Sequence, residues 1–585
     1  MSRNYKKNIL NKHKFNIINH HFEFNELQPD ITHYEDYKTA LFAVNKVLDI
    51  KVPAKRLDKY ILYKFAMECS VALSNPLINL VINSEKSFLN LRKIQDNKTY
   101  ADAILKKEKK CDLNRVNNFK ILYKKFKNEQ TEETFREVES LIEEYFTFPE
   151  EDKSEIFDFN INLSSIDFSY YNKDYQRTAE YIHNTWKKLA KQTAKTSYSS
   201  LIPLPKPFIV PGGRFREIYY WDSFYTIIGL LISKLDYMAK NMVDNFLYLV
   251  EYLGFIPNSN RVYHLSRSQP PYLAEMIETI RPKCSKKWLK RAFNLAKKEY
   301  FYYWMNPQTN YLEGYGLNRY FDPVNQARPE SYGSDNVNSF IGYDYYSHER
   351  SECESGWDFT RRFHDRAHDF IPVDLNCLLY RYEKLFEKWS LLFGNFDEAK
   401  YWKNKAIQRK SNINKYLWNE SEGLYFDYDL IKQKHSDFKS SAGFMPLKMK
   451  VAGKLQAEKV RKNIVEKFET DNGVVSSYGI YEQSSYCKEP SEYQWDSPNG
   501  WAPIQFITVY GLLNYGYEED AKRIAKKWLD FNTRIFLTTG SMFEKYNVIQ
   551  GSAKAETSYP QQTGFGWTNG VYLDFLSNFI DKADK

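Results

Sequence analysis

Apolar side chains recur at helical spacing wherever a long segment of this chain can be read. Met242, Phe246, Leu249 and Leu253 fall 4, 3 and 4 residues apart and so line one face of a helix. The face stops at Gly254, a suitable left-handed residue past a helix end, and Pro257 follows where no helix continues. Leu375, Leu378, Leu379, Tyr382, Leu385, Phe386, Trp389 and Phe393 repeat the pattern and stop at Gly394. Ile524, Trp528 and Phe531 mark a further helix. Apolar periods near 39–49 and 57–73, broken by Pro53 and Pro76, predict a separate helical extension over 1–85, which leaves 86–585 as the main domain. No repeat of 20 to 50 residues stands out.

Between the helices lie long stretches rich in Gly, Pro, Asn, Asp, Ser and aromatics, at 201–222, 256–270, 316–372, 472–503 and 537–569. Loops of this length are usually functional, because ordering them is costly without a role. The unusual residues of the chain fall in them. The expected architecture is therefore a helical scaffold that presents a site at one end.

Composition narrows the class. A chain of 585 residues accommodates one large catalytic domain and an extension. Six cysteines (Cys69, Cys111, Cys284, Cys353, Cys377, Cys487) show no CxxC pair, which suits a reducing compartment and argues against a zinc cluster. No apolar h-region follows the first basic residues, and no run of 18 apolar residues occurs, so neither a secretory signal nor a membrane partner is expected. The expectation is a soluble cytoplasmic protein, a monomer or weak oligomer. The net charge of +9 resides in the N-terminal part: residues 1–130 hold 25 Lys and Arg against 14 Asp and Glu, and the rest 58 against 60. With no accompanying motif, nucleic acid is not an expected partner. Aromatics make up 17% of the chain, which suits pyranose faces packed on rings, although an AT-rich genome inflates the same residue types.

Candidate chemistry centres on acid-aromatic motifs. Residues 210–222, VPGGRFREIYYWD, combine two glycines, Arg214 and the pair Trp221-Asp222; 493–503, YQWDSPNGWAP, repeats Trp-Asp. A third Trp-Asp lies in ESGWDFTRR (354–362), and FEKYN (543–547) precedes GFGWTNG (564–570). Glycoside hydrolysis needs one carboxyl group to donate a proton and another to act as base or nucleophile. The residues alone leave Glu217, Asp222, Asp358, Asp496 and Glu544 as candidates, and a lone Asp beside a Trp is more often a helix cap. His364 and His368, with Asp365 and Asp369 beside them, have metal-ligand spacing but read as solvent-facing loop histidines; no metal and no cofactor are expected.

PGGRFREIYYWD and QWDSPNGWAP resemble the two signature motifs of the trehalase family, and ESGWDF, IPVDLN, FEKYN and GFGWTNGV occur in that family's order. The resemblance spans roughly 88–578. It implies an all-α fold, an (α/α)6 toroid whose long loops form the active-site pocket, and hydrolysis of α,α-trehalose with inversion. Asp358 is implied as general acid and Glu544 as general base, with carboxyl groups roughly 6.5–9.5 Å apart for the intervening water. Matching positions imply substrate contacts from Arg214, Trp221, Asp222, Asn258, Arg267, Ser268, Gln269, Arg328, Pro329, Glu330 and Gly356. The three arginines are expected to take sugar hydroxyls and to hold Glu544 ionised, and Asp358 is expected to have a raised pKa.

Three departures stand out. Phe224 replaces a Tyr, residues 363–369 form a shorter insert, and Gly551-Ser-Ala-Lys-Ala-Glu-Thr-Ser-Tyr559 replaces a glycine-rich lid ending Glu-Tyr. Ser558 thereby stands where the family has a substrate-binding Glu, with Glu556 two residues away. The altered lid motivates the alternative of another α-glucoside as substrate. A catalytically silent sugar-binding homologue is the alternative from a different class.

Overall fold

The computed structural model describes residues 156–193, 201–325, 328, 330, 345–479, 493–555 and 559–581. The N-terminal extension expected over 1–85, with the basic excess of 1–130, lies outside these residues, as do Pro329, Glu556 and Ser558.

Thirteen α-helices occur among the described residues: α1 (Lys173–Leu189), α2 (Tyr220–Ile232), α3 (Asp236–Leu253), α4 (Leu273–Ile280), α5 (Lys286–Glu299), α6 (Tyr345–Glu354), α7 (Val373–Leu392), α8 (Phe396–Tyr416), α9 (Met445–Lys448), α10 (Lys454–Asn463), α11 (Ala502–Leu513), α12 (Glu518–Thr539) and α13 (Gly566–Phe579). Apart from α6, they alternate between two kinds. The outer helices α1, α3, α5, α8, α10 and α12 bury one face and expose the other. The inner helices α2, α4, α7, α9, α11 and α13 are buried over most of their circumference. Their sequences explain this: α11 (APIQFITVYGLL) carries no charge, α2 only Asp222 and α13 only Asp574, and a helix apolar all round is stable only inside.

The inner helices form a closed ring, each touching the next from α2 through α4, α7, α9 and α11 to α13, and α13 packing back on α2. That last seam is tight. A Cβ on Gly570 would lie 2.0 Å from the Tyr225 carbonyl oxygen and one on Gly229 2.6 Å from Gly570 Cα, so two glycines let the first and last inner helices meet. This is an (α/α)6 toroid.

Connections from inner to outer helices are short, as at 233–235, 393–395 and 514–517, whereas those from outer to inner helices are long. Every long loop therefore opens at one end, where the inner helices begin. Helix N-termini carry partial positive charge, so this end suits carboxylates. Helix ends follow the sequence signals: α3 stops before Gly254 (φ +86°), and Gly394 (φ +75°) follows α7. The loops are shorter than the composition implied. Tyr220–Asp222 form the first turn of α2, α6 lies within 316–372, and α12 runs on to Thr539, because apolar packing, not turn residues, decides where these helices stop. No helix of the described residues is long and apolar enough to cross a membrane.

Candidate active site

Asp222 enters the site from the first turn of α2, whose N-cap is Tyr219, so the carboxylate is not a cap. It is buried, and burial, followed by the charges of Glu544 and Asp358, pushes it well above the usual carboxylate range. Three carboxyl groups distant in sequence thus converge. Beside Asp222, Trp221 belongs to a buried cluster that gathers the motifs. Its ring centroid lies 5.5 Å from Trp495 and 5.8 Å from Trp567; Trp495 lies 4.9 Å from Trp357 and stacks on Trp501 at 3.9 Å. The indoles act as the wall on which the polar loops are mounted.

Asp358 sits half-buried in the loop after α6. Gly356 (φ +72°) sets the turn, and a Cβ there would lie 2.9 Å from the Trp221 ring, so both backbone conformation and space demand glycine. Gly356→Ala is expected to cost about 1–2 kcal/mol in backbone strain alone, and more if Trp221 shifts. A lowered Tm together with a lowered kcat/KM would register both effects. The loop is anchored on each side of Asp358. Glu352 Oε1 accepts the N–H groups of Phe359 (2.6 Å) and Thr360 (3.3 Å), and Asp496 Oδ1 accepts the Thr360 hydroxyl at 2.7 Å. Asp496, of the second signature, is thus a loop anchor, and burial pushes its own carboxyl up to about 7. Gln494 Nε2 lies 3.4 Å from Asp358 Oδ2. The Asp358 carboxyl is raised above its ordinary value, first by loss of solvent, with Glu544 adding to the rise and the Arg328 and Lys545 charges opposing it.

Glu544 arrives on a second loop. Asn499–Trp501 and Lys545–Asn547 pair antiparallel with Trp501 opposite Lys545, which draws the second signature and FEKYN together. The Glu544 side chain is buried, and each oxygen has a donor: Lys545 Nζ at 2.8 Å from Oε2 and the Tyr559 hydroxyl at 2.7 Å from Oε1. Lys545 is itself fully buried, its ammonium 4.2 Å from the Tyr559 ring centroid and 4.9 Å from that of Trp501. The counter-charge beside Glu544 is therefore Lys545, where the sequence suggested arginines. Both partners lie in quoted motifs, but neither spacing nor residue type distinguishes them there.

The arginines take separate stations. Arg214 is exposed, its guanidinium 5.3 Å from the Tyr559 ring centroid. Arg328 donates to the Cys353 sulfur and lies 5.4 Å from the Phe359 ring centroid. Arg267 is buried and paired with Glu330, while its Nε and Nη1 have no protein partner. Burial alone raises the Glu330 carboxyl, but Arg267, His264 and Arg328 together hold it well below its usual value. Other candidates are engaged in joining loops. Asn258 Nδ2 donates to the Ser268 and Cys353 carbonyls, the Ser268 hydroxyl to the Ile256 carbonyl, and the Trp221 N–H to Gln269 Oε1. Phe224 faces the core, stacked on Tyr272 at 4.7 Å. Among the loop histidines, His364 pairs with Asp437 at 2.9 Å, and His368 is half-buried against His348 instead of facing solvent.

Carboxyl groups set in contrasting surroundings, guanidinium donors and an indole wall at the loop end of an (α/α)6 toroid define a glycoside hydrolase. The model of the Trehalase family matches residues 92–580, and the chain belongs to that family. Periplasmic trehalases of Escherichia coli, among them those of O1:K1 / APEC and strain HS, are 36% identical to it over 434 residues, covering 70% of this chain and 75% of theirs. Among solved structures, the neutral trehalase of Saccharomyces cerevisiae is similar at 31% identity with a TM-score of 0.57, covering 64% of this chain and 74% of that one. The cytoplasmic expectation is overturned by the bacterial relatives, which are periplasmic. The lack of a CxxC pair and of an apolar h-region carried it; among the described residues Cys284, Cys353 and Cys377 are free thiols, which is compatible with either side of a membrane.

Proposed function

We propose that the chain hydrolyses α,α-trehalose to two glucose molecules with inversion, Asp358 acting as general acid and Glu544 as general base. The observation that carries this reading is the difference between the surroundings of the two groups. Loss of solvent favours the protonated form of Asp358, whereas Glu544 has an ammonium on one oxygen and a phenol on the other. Asp358 gives its proton to the glycosidic oxygen, the bond from that oxygen to the anomeric carbon breaks, and a water deprotonated by Glu544 adds to the opposite face. The unpartnered Arg267 donors suit sugar hydroxyls, Arg214 lies at the exposed rim, and Asp222 is close enough to feel the charges of Glu544 and Asp358. The family match over 92–580 supports taking 86–585 as the catalytic unit.

Proton NMR of freshly cleaved trehalose tests substrate and stereochemistry together. Equal initial amounts of α- and β-glucose are expected; α-glucose alone would exclude inversion, and faster cleavage of maltose, sucrose or kojibiose would exclude trehalose as the preferred substrate. A pH dependence follows from the Asp358 shift. A general acid works only while protonated, so its raised pKa preserves activity above the usual aspartate range, and kcat/KM then falls about tenfold per pH unit once that pKa is passed. The alkaline limb of the kcat/KM profile should vanish in Asp358→Asn; its persistence there would assign the limb to another group.

A further inference from the structure

His348 in α6 and His368 in the 3-10 turn Ala367–Asp369 meet with ring centroids 3.5 Å apart. With Asp369 they offer two imidazole nitrogens and a carboxylate oxygen, all within 4.8 Å of one another, and all three residues are half-buried. Hydrogen bonding fixes the His368 tautomer. The Ser347 hydroxyl donates to the Asp322 carbonyl at 2.6 Å, so in its 3.1 Å contact with His368 Nδ1 the serine oxygen must accept. The ring proton is then on Nδ1, and the Nε2 lone pair faces Asp369 Oδ1 at 3.9 Å. Two electron-pair donors thus face one another with no proton between them. Of the neighbouring cations, Arg366 Nη1 donates to Asp369 Oδ2 at 3.3 Å, the carboxylate oxygen other than the one facing His368, and Arg319 donates to the His368 carbonyl at 3.1 Å.

We propose that His348, His368 and Asp369 bind a divalent transition-metal ion of the zinc, cobalt or nickel class, joining α6 to the turn beyond the acid-bearing loop. Imidazole suits this class, whereas calcium and magnesium require oxygen sets. Bonds of about 2.0–2.1 Å in a tetrahedron set ligand atoms ~3.4 Å apart, so closure from the present spacing needs about 1 Å of side-chain movement, with water completing the shell. The site has a structural consequence. His348 precedes Glu352 by one helical turn, and Glu352 holds the N–H groups of Phe359 and Thr360 beside Asp358. A bound ion fixes that helix against the far end of the same loop.

Titration of the metal-stripped full-length protein with cobalt chloride and zinc chloride tests this, read by visible cobalt absorption and by Tm. Wild type is expected to show tetrahedral cobalt bands and a higher Tm with zinc. His348→Ala and His368→Asn should each weaken binding by roughly 10- to 100-fold or more, with folding checked by metal-free melting and trehalose hydrolysis. Ser347→Ala, which removes no ligand, guards against misfolding of those variants and should weaken binding more mildly. Absence of cobalt or zinc binding in wild type, unchanged affinity in both histidine variants, or a Tm rise with calcium but not zinc would each overturn the proposal.

Discussion

Asp358→Asn and Glu544→Gln are each expected to lower kcat on trehalose by about 100- to 10,000-fold, the range that positioned proton transfer supplies. The two should differ in character. Asparagine at 358 removes the only transferable proton from a group whose pKa is raised by burial, so the loss should be smallest for substrates with good leaving groups such as aryl or fluoride glucosides. Glutamine at 544 leaves the Lys545 ammonium buried without its carboxylate partner, so it also carries a stability cost. Sugar binding should persist in both, because the Arg267, Arg214 and Trp221 positions are untouched. Single-turnover rates with trehalose and with α-glucosyl fluoride separate the roles. Wild-type-like trehalose turnover in either variant would remove that residue from the mechanism.

Arg362→Leu should be the most damaging change away from the reacting groups. The guanidinium is fully buried and forms paired hydrogen bonds to two carboxylates: Nη1 and Nη2 to Asp374 at 3.0 and 2.8 Å, Nε and Nη2 to Asp427 at 2.7 and 2.9 Å. Its carbon centre also lies 4.9 Å from the Trp357 ring centroid, next to the acid-bearing Asp358. Leucine leaves two carboxylates buried without their cation, a change that costs about 3–5 kcal/mol. Lysine restores one charge but not the planar fork, so it should recover only part of the loss. Thermal melting and soluble yield measure the effect, and a Tm within a degree or two of wild type for Arg362→Leu would refute the assigned role. The IPVDLN motif thereby gains a physical meaning, because its Asp374 holds the arginine that supports the SGWDF loop.

Legibility differed between the two halves of the problem. Apolar periodicity identified α3, α7 and α12, and Gly254 and Gly394 marked helix ends, because a helix with one buried face writes that face into the sequence at a 3.6-residue period. The short inner helix α9 and the chemically mixed α6 carry no such period. The aromatic motifs were visible as motifs. That Trp221, Trp357, Trp495, Trp501 and Trp567 form one wall was not, since rings from four separate motifs touch only after the inner helices close on one another.

The motifs and their order by themselves carried the resemblance to the family, and that resemblance implied the toroid and the pair Asp358 and Glu544 as the carboxyl groups to propose. Tertiary structure decided how each is surrounded. Lys545 stands beside Glu544 because a two-stranded pairing sets its direction, Asp222 enters from a helix first turn, and His368 meets His348 in place of the His364 that sequence spacing offered. The physical reason is common to all three. Protonation, counter-charge and ligand geometry depend on neighbours a few ångströms away, and loops of this length place such neighbours at separations in sequence that no local pattern records.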